Sequence, residues 1–371
     1  MGYTQQALNL MAELLDGLSG DALLRATALM LGFIVLLFIG SIVLPGKKTI
    51  GPVIDGKART YKLNGLLLFL ITVLMAGGLQ VANIFSLSTL LDDFLALFVV
   101  ANLFAFTLSG WLCWRGSRSQ TPPRKFWNAY FYGAEHSPAW FGVDLKLFSY
   151  RPSLIALAIF NLSFGVAQYE EYGELSLAMI LYQCFTFLYI LNYFQFEYGM
   201  IHTWDLVSER FGWMLVWGDY VLVPFFYCIS GWWLLNASGS LPIPVAIAIV
   251  LLFVFGFWLF RGANEQKHRF KRNSEITIWG KPAESLEGRL LVSGFWGIGR
   301  HLNYSGEICV YLAFTFTTGF VSWIPFLLPA WLIGLLWHRS WRDERRCSAK
   351  YGELWVKYKQ RVPYSMVPFI H

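Results

Sequence analysis

Long apolar runs separated by short polar stretches recur along this chain, and runs of this length predict helices rather than strands. They cover residues 23–44, 64–84, 95–114, 153–168, 176–196, 213–235 and 245–260, and two shorter runs, 308–320 and 324–338, form a hairpin. The hairpin arms fall short of the ~20 residues that a straight membrane span needs. A basic loop fills 45–63, a long polar segment 115–151, the acidic YEEYGEL follows the fourth run, HTWDLVSERFG follows the fifth, and a polar block occupies 261–289. Apolar residues at helical spacing over 4–18 predict a short interfacial helix. The expected fold is all-α, a polytopic membrane protein with nine crossings. A tenth would require the N-terminal segment to insert, against Glu13 and Asp16. The reading is thus of about 9–10 transmembrane helices. An interfacial segment, 1–22, precedes a single transmembrane domain, 23–371, whose half over 261–371 holds the densest polar chemistry.

Composition agrees with the pattern. The chain is 56% hydrophobic and 14% charged, where a soluble globular domain carries about 25% charged residues. Charge then sets orientation. The segments 45–63, 115–151, 261–289 and 339–361 hold 26 of the 29 Lys and Arg residues, and an even number of runs separates each pair. All four lie on one side, which the positive-inside rule makes the cytoplasm, with the C-terminus on that side. This placement explains the net charge of +6 better than nucleic-acid binding does. The five cysteines show neither CxxC nor Cys/His spacing, so they predict free thiols and no metal site. Residues 1–22 lack the basic start and apolar core of a cleavable signal.

Four places could carry chemistry. In FRGANEQKHRFKRN (260–273), a helix continuing from the seventh run would put Lys267 and Lys271 on one face, with Asn264 a turn before Lys267. Two like charges there suit a bridging anion, though a basic stripe on anionic lipid is the plainer reading. In LLVSGFWGIGRHLNYSGE (290–307), Gly294, Gly297 and Gly299 permit close backbone approach and Trp296 offers a stacking face. The spacing is not that of a dinucleotide fingerprint after a strand, and glycine-mediated helix packing competes. In RDERRCSAKYGELWVKY (342–358), Asp343, Cys347, Lys350 and Tyr351 share one side of a helix, with Tyr358 two turns beyond Tyr351. An amphipathic juxtamembrane helix is the alternative. In the fifth run, Tyr189, Asn192, Tyr193 and Glu197 share one face, and Asn161, Gln168 and Asp219 are further intramembrane polar groups.

Several of these motifs, together with FGVDLKLF, TWDL, FGWMLVWGD and the ending HRSWRDERRC…KYGELWVKY…RVPY, resemble the sterol reductases in content and order from about residue 58 onward. The resemblance implies a membrane enzyme of about ten transmembrane helices, reducing a sterol double bond with NADPH bound in a C-terminal pocket open to the cytoplasm. It implies that Lys267 and Lys271 face the phosphates. Leu291, Trp296, Asn303 and Tyr304 would line the nucleotide pocket, and Asp343, Cys347, Lys350, Tyr351 and Tyr358 would complete it. Tyr189 matches an intramembrane tyrosine proposed as proton donor, with Asp343 beside it in the chemistry. The chain departs from the family pattern at Lys271, where arginine is usual, at EHSPAWFG (135–142), at Asn192 and at Glu307.

An isolated alkene is not electrophilic, so a proton must arrive before hydride. The expected reaction is therefore protonation by Tyr189, through a relay that includes Asp343 or Glu307, followed by hydride transfer from NADPH. Ring C14–C15 is the favoured bond, with C7–C8 or the side-chain C24 bond as alternatives. An isoprenylcysteine-carboxyl-methyltransferase-like enzyme using S-adenosylmethionine, and a non-catalytic sterol-binding protein, are the competing classes. The expected partners are sterol and membrane lipid, without nucleic acid or metal. The expected membrane is the endoplasmic reticulum in a eukaryote and the cytoplasmic membrane in a bacterium.

Overall fold

Helix α1 (Gly20–Val43) leaves Leu24, Leu31, Val35, Leu36, Ile39 and Val43 exposed on its outside, which hydrocarbon surroundings favour and water does not. The computed structural model describes residues 17–54, 56–118, 125–235, 241–320 and 322–367. The interfacial helix expected over 4–18 lies outside them except for its last two residues. The other long helices are α2 (Gly65–Val81), α3 (Phe94–Ser117), α4 (Leu145–Tyr172), α5 (Leu177–Gln195), α6 (Trp213–Leu234), α7 (Ile243–Arg272), α8 (Leu302–Phe316) and α9 (Leu327–Tyr351), followed by the short α10 (Glu353–Arg361). Among the described residues, α1 and α3–α7 are the six helices long and apolar enough to cross a membrane. Strand is confined to two-stranded ladders, the longest being the hairpin β1 (Lys47–Ile54) and β2 (Lys57–Leu63).

Several helices outrun their apolar segments. Helix α4 begins at Leu145 and not at Ser153, because Asp144 caps it: its Oδ1 accepts from Leu147 N at 3.0 Å. Lys146 and Arg151, read as loop residues, are thereby helical and buried. Helix α7 continues through the polar block to Arg272, and α9 continues through the charged ending to Tyr351. Helix α8 starts at Leu302, so Asn303 and Tyr304 stand in its first turn. Hydrophobicity marks where a helix meets lipid; its hydrogen bonds continue past that point wherever other groups accept the polar side chains.

The chain forms two compact units, Met1–Leu175 with Gln183–Asn236, and Ser176–Tyr182 with Ala237–His371. In the first, the hairpin and the segments 133–146 and 197–212 meet at one end of the helices. Tyr61, Leu147, Met200, Ile201 and Leu206 form an apolar cluster there. The Arg59 guanidinium donates to Ser137 O, and Arg210 Nη1 to Ala134 O at 2.7 Å. Gly133, at φ +105°, and Gly212 cross so closely that a methyl group on Gly133 would stand 2.7 Å from Phe211 N. In the second unit α7 and α8 cross at glycines: a methyl group on Gly256 would meet Gly306 O at 2.8 Å and Val310 N at 2.9 Å. This is small-residue packing as membrane helices use it.

Candidate functional site

In the second unit, α7, the segment 290–304, α9 and α10 bring most of the motif residues together. Gly294, at φ +62°, turns the chain into the short helix Phe295–Ile298. Phe295 N then donates to Gln266 Oε1 at 2.9 Å and Trp296 Nε1 to Ala263 O at 2.7 Å. These bonds fasten the Trp296 indole to α7, where Lys267 Nζ lies 4.2 Å from the ring centroid. Leu291 packs with Trp296, Phe270 and Ile278. Tyr358 Oη donates to Trp296 O at 3.3 Å, and Tyr358 shares an apolar cluster with Cys347, Tyr351, Val292 and Trp355. Cys347 Sγ stands 3.9 Å from Asp343 Oδ2, one helical turn away. The Tyr351 ring has Lys350 Nζ and the Arg289 guanidinium each 5.1 Å from its centroid. One continuous helix from Asp343 to Tyr358 was expected; instead Gly352, at φ +54°, ends α9 and begins α10. The turn still leaves Tyr351 and Tyr358 in the same cluster.

Charge is unbalanced here. The groups acting on exposed Lys271 are Lys267 and Lys350, both of its own sign, and Asp343 with Cys347 opposing them. Burial, and then the Asp343 carboxylate, push the Cys347 thiol up to about 11, so it stays protonated at neutral pH. Burial also raises the Tyr358 phenol far above its ordinary value, against the pull of the Arg300 guanidinium. Among the buried polar atoms without a hydrogen-bond partner within the described residues, two belong to this cluster. Asn303 Nδ2 reaches Asn264 Oδ1 at 3.3 Å, but its own Oδ1 accepts nothing, and Trp355 Nε1 donates to nothing. An unmade buried hydrogen bond costs about 1–3 kcal/mol, so these atoms fit a ligand that supplies donors and acceptors. The Tyr304 ring stacks on His301 at 5.2 Å and 11°.

Tyr189 belongs to the first unit. It is 3% exposed on α5, and its Oη donates to Tyr193 Oη at 3.2 Å, with the rings edge to face at 5.0 Å. Glu197 does not extend that face, because α5 ends at Gln195. Its carboxylate is instead held by Arg151 Nε at 3.0 Å, by the other Arg151 nitrogen, Nη2, at 2.8 Å and by Gly65 N at 2.9 Å. Arg151 also donates to Ser41 Oγ at 2.8 Å and Lys62 O at 2.9 Å. Gln168 Nε2 donates to Leu234 O at 2.7 Å, and the Gln183 amide to Asn161 O, so these polar groups join helices. Asp219 is 9% exposed in a stretch of π-helix, Gly218–Phe226, that contains Pro224.

Two groups had no role in the sequence reading. Lys146, 1% exposed, donates to Leu206 O at 2.8 Å and Glu209 O at 2.7 Å and lies 3.3 Å from His136 Nδ1. Part of the unusual 135–142 segment thus helps to seat a buried ammonium. Arg300 donates to Glu344 Oε1 at 3.0 Å through Nε and to Val362 O and Pro363 O at 2.8 and 2.7 Å. This anchors the chain after α10 beside the cluster. Partners separated by 44 to 63 residues leave no mark on local sequence.

A multi-pass membrane protein with a cationic, aromatic-lined cluster is the class this architecture defines. Residues 20–371 match the ergosterol biosynthesis ERG4/ERG24 family, and the chain belongs to it. It is 38% identical over 357 residues to a protein of Arabidopsis thaliana named Delta(14)-sterol reductase, covering 94% of this chain and 96% of that one. A Delta(14)-sterol reductase of Methylotuvimicrobium alcaliphilum is 37% identical, with 85% and 76% covered. A 7-dehydrocholesterol reductase of Xenopus laevis is 34% identical, with 84% and 71% covered.

Proposed function

We propose that this chain reduces the C14–C15 double bond of a sterol, with NADPH as reductant. Its greater identity to the Delta(14)-sterol reductases than to the 7-dehydrocholesterol reductase supports that bond. The last likeness makes C7–C8 the second reading. The observation that carries the cofactor assignment is that Lys267 and Lys350 both act on Lys271, with Asp343 as the carboxylate opposing them. Like charges so close repel unless an anion sits among them, and the phosphates of a dinucleotide are such an anion. Lys267, Lys271 and Lys350 would hold the phosphates, the aromatic faces of Trp296, Tyr351 and Tyr358 would line the pocket with Leu291 and Cys347, and Asn303 would accept a ligand donor. Tyr304 and Asp343 complete the set. NADPH, when bound, supplies a hydride.

The chain's own part is the proton. Tyr189 Oη, buried and held by Tyr193, delivers it to C15, which leaves a tertiary carbocation at C14. Burial at this position excludes the water that would trap the cation. Asp343, next to Cys347, opposes the positive charge of Lys271. The cofactor half is 261–371, and with the basic segments facing the cytoplasm it opens where NADPH is supplied. A eukaryotic chain would work in the endoplasmic reticulum.

Expression in a yeast strain lacking C14-sterol reductase, with sterols analysed by mass spectrometry, tests the reading. The C14-unsaturated sterol should disappear with this chain and persist with Tyr189→Phe, whose NADPH affinity should be unchanged. Removal of a C7-unsaturated sterol instead would select the second reading. An unchanged sterol profile, or full activity of Tyr189→Phe, would overturn the corresponding assignment.

A further inference from the structure

Each turnover strips Tyr189 of its proton, and a tyrosine 3% exposed cannot recover one directly from water. We propose that Tyr193, Tyr150 and Asp205 form a proton path that reloads Tyr189 from the solvent beside the 197–212 segment. The inference rests on Tyr189 being the proton donor.

Two links of the path are hydrogen bonds within the first unit. Tyr189 Oη bonds Tyr193 Oη at 3.2 Å, and Tyr150 Oη donates to Asp205 Oδ2 at 3.0 Å. The middle link joins Tyr193 to Tyr150. Both rings pack on the same small cluster of Tyr61, Leu147, Met200, Ile201 and Leu206, and Leu206 is the chain neighbour of Asp205. The path takes a water to bridge these two hydroxyls. Tyr189 is buried, whereas Tyr193, Tyr150 and Asp205 are all partly exposed. Asp205 therefore meets solvent, at the end of the unit where the basic hairpin 47–63 also lies. Carboxylate, phenol and water are the groups through which protons hop along hydrogen bonds.

The step balances without any further reagent. Tyr189 O–H breaks as a C–H bond forms at the alkene, and hydride closes the carbocation. The Tyr189 phenolate then takes the proton of Tyr193, which is refilled through water and Tyr150 from the Asp205 carboxyl. Asp205 takes up one proton from solvent. The hydrogen bond between Tyr189 and Tyr193 reverses its direction in each cycle. Asp205 also lies near Asp219 and Lys146, and the Lys146 ammonium is held by the carbonyls of Leu206 and Glu209 in the same segment.

Rapid mixing of purified protein, NADPH and a C14-unsaturated sterol in detergent tests the path, using Tyr150→Phe and Asp205→Asn. A preloaded Tyr189 still serves the first turnover. Each variant should oxidise one NADPH per chain at the wild-type rate and then slow 10- to 100-fold, with KM for sterol falling in step with kcat, and with kcat/KM and Kd for NADPH unchanged. The slow phase should carry a larger solvent deuterium isotope effect than wild-type turnover, and Asp205→Glu should restore part of the rate. Steady-state rates equal to wild type would overturn the path, as would a first turnover slowed in step with the later ones, which marks structural damage. Absence of the burst in Tyr189→Phe alone separates the two assignments. If wild type itself showed no sterol-dependent NADPH oxidation, the enzymatic reading would fail and the path with it.

Discussion

Arg151 in the first unit and Lys271 in the second each stand near the end of a long helix, yet their charges are treated in opposite ways. Arg151 is 3% exposed and gives its donors to Glu197, Ser41 and Lys62 O. Lys146 is likewise absorbed by two carbonyls. These cations are internal struts, bonded to groups of the protein itself. Lys271 is exposed, and two of the three ionised groups acting on it, Lys267 and Lys350, repel it. A protein tolerates that repulsion where a ligand relieves it. The contrast teaches that a charged residue in a membrane helix reports on function by how incompletely it is neutralised.

The largest expected effect breaks a strut. Arg151→Met should strand the buried Glu197 carboxylate and destabilise the protein by about 3–5 kcal/mol, read as a lowered thermal midpoint in detergent or loss of folded protein on expression. Arg300 is the internal check, a closed cation inside the second unit. Arg300→Lys keeps the charge but not the fork that serves Glu344 and two carbonyls, and should cost about 1–3 kcal/mol in the same assay. The open cations should behave otherwise. The double change Lys267→Met with Lys271→Met should weaken NADPH binding about 10- to 100-fold, or ~1.4–2.8 kcal/mol, in a titration, while the ligand-free thermal midpoint holds or rises. A fall like that of Arg151→Met would erase the distinction. Lys271→Arg, which restores a bidentate donor for phosphate, should tighten NADPH a few-fold in the same titration, an increment of roughly 1 kcal/mol. Smallest is the thiol effect. With Cys347 raised to about 11, its alkylation, followed by mass spectrometry, should be slow at pH 8 and climb until the pH reaches that value. NADPH should protect it.

The membrane class, the main apolar helices and the pairing of Lys267 with Lys271 were legible in the sequence, each for a local reason. Apolar runs declare spans because hydrocarbon admits few alternatives. Lys267 and Lys271 could be paired because an α-helix returns to the same face after four residues, and α7 does run through both. The same rule misled at Glu197, where α5 had already ended, and between Tyr351 and Tyr358, where Gly352 interrupts the helix. Helix ends are set by caps and by what the polar side chains find, as Asp144 shows at the start of α4.

By itself the sequence determined that this protein lives in a membrane, which segments are helical, and which side chains are chemically apt for an anionic cofactor. Those properties depend on residue type and on spacings of a few residues. Only the tertiary structure decided that Arg151 is spent on Glu197, 46 residues away, that Lys146 is spent on the carbonyls of Leu206 and Glu209, and that Tyr189 meets Tyr193 while Tyr150 meets Asp205. Whether a polar group is consumed or available depends on partners brought from distant parts of the chain, and packing, not periodicity, brings them.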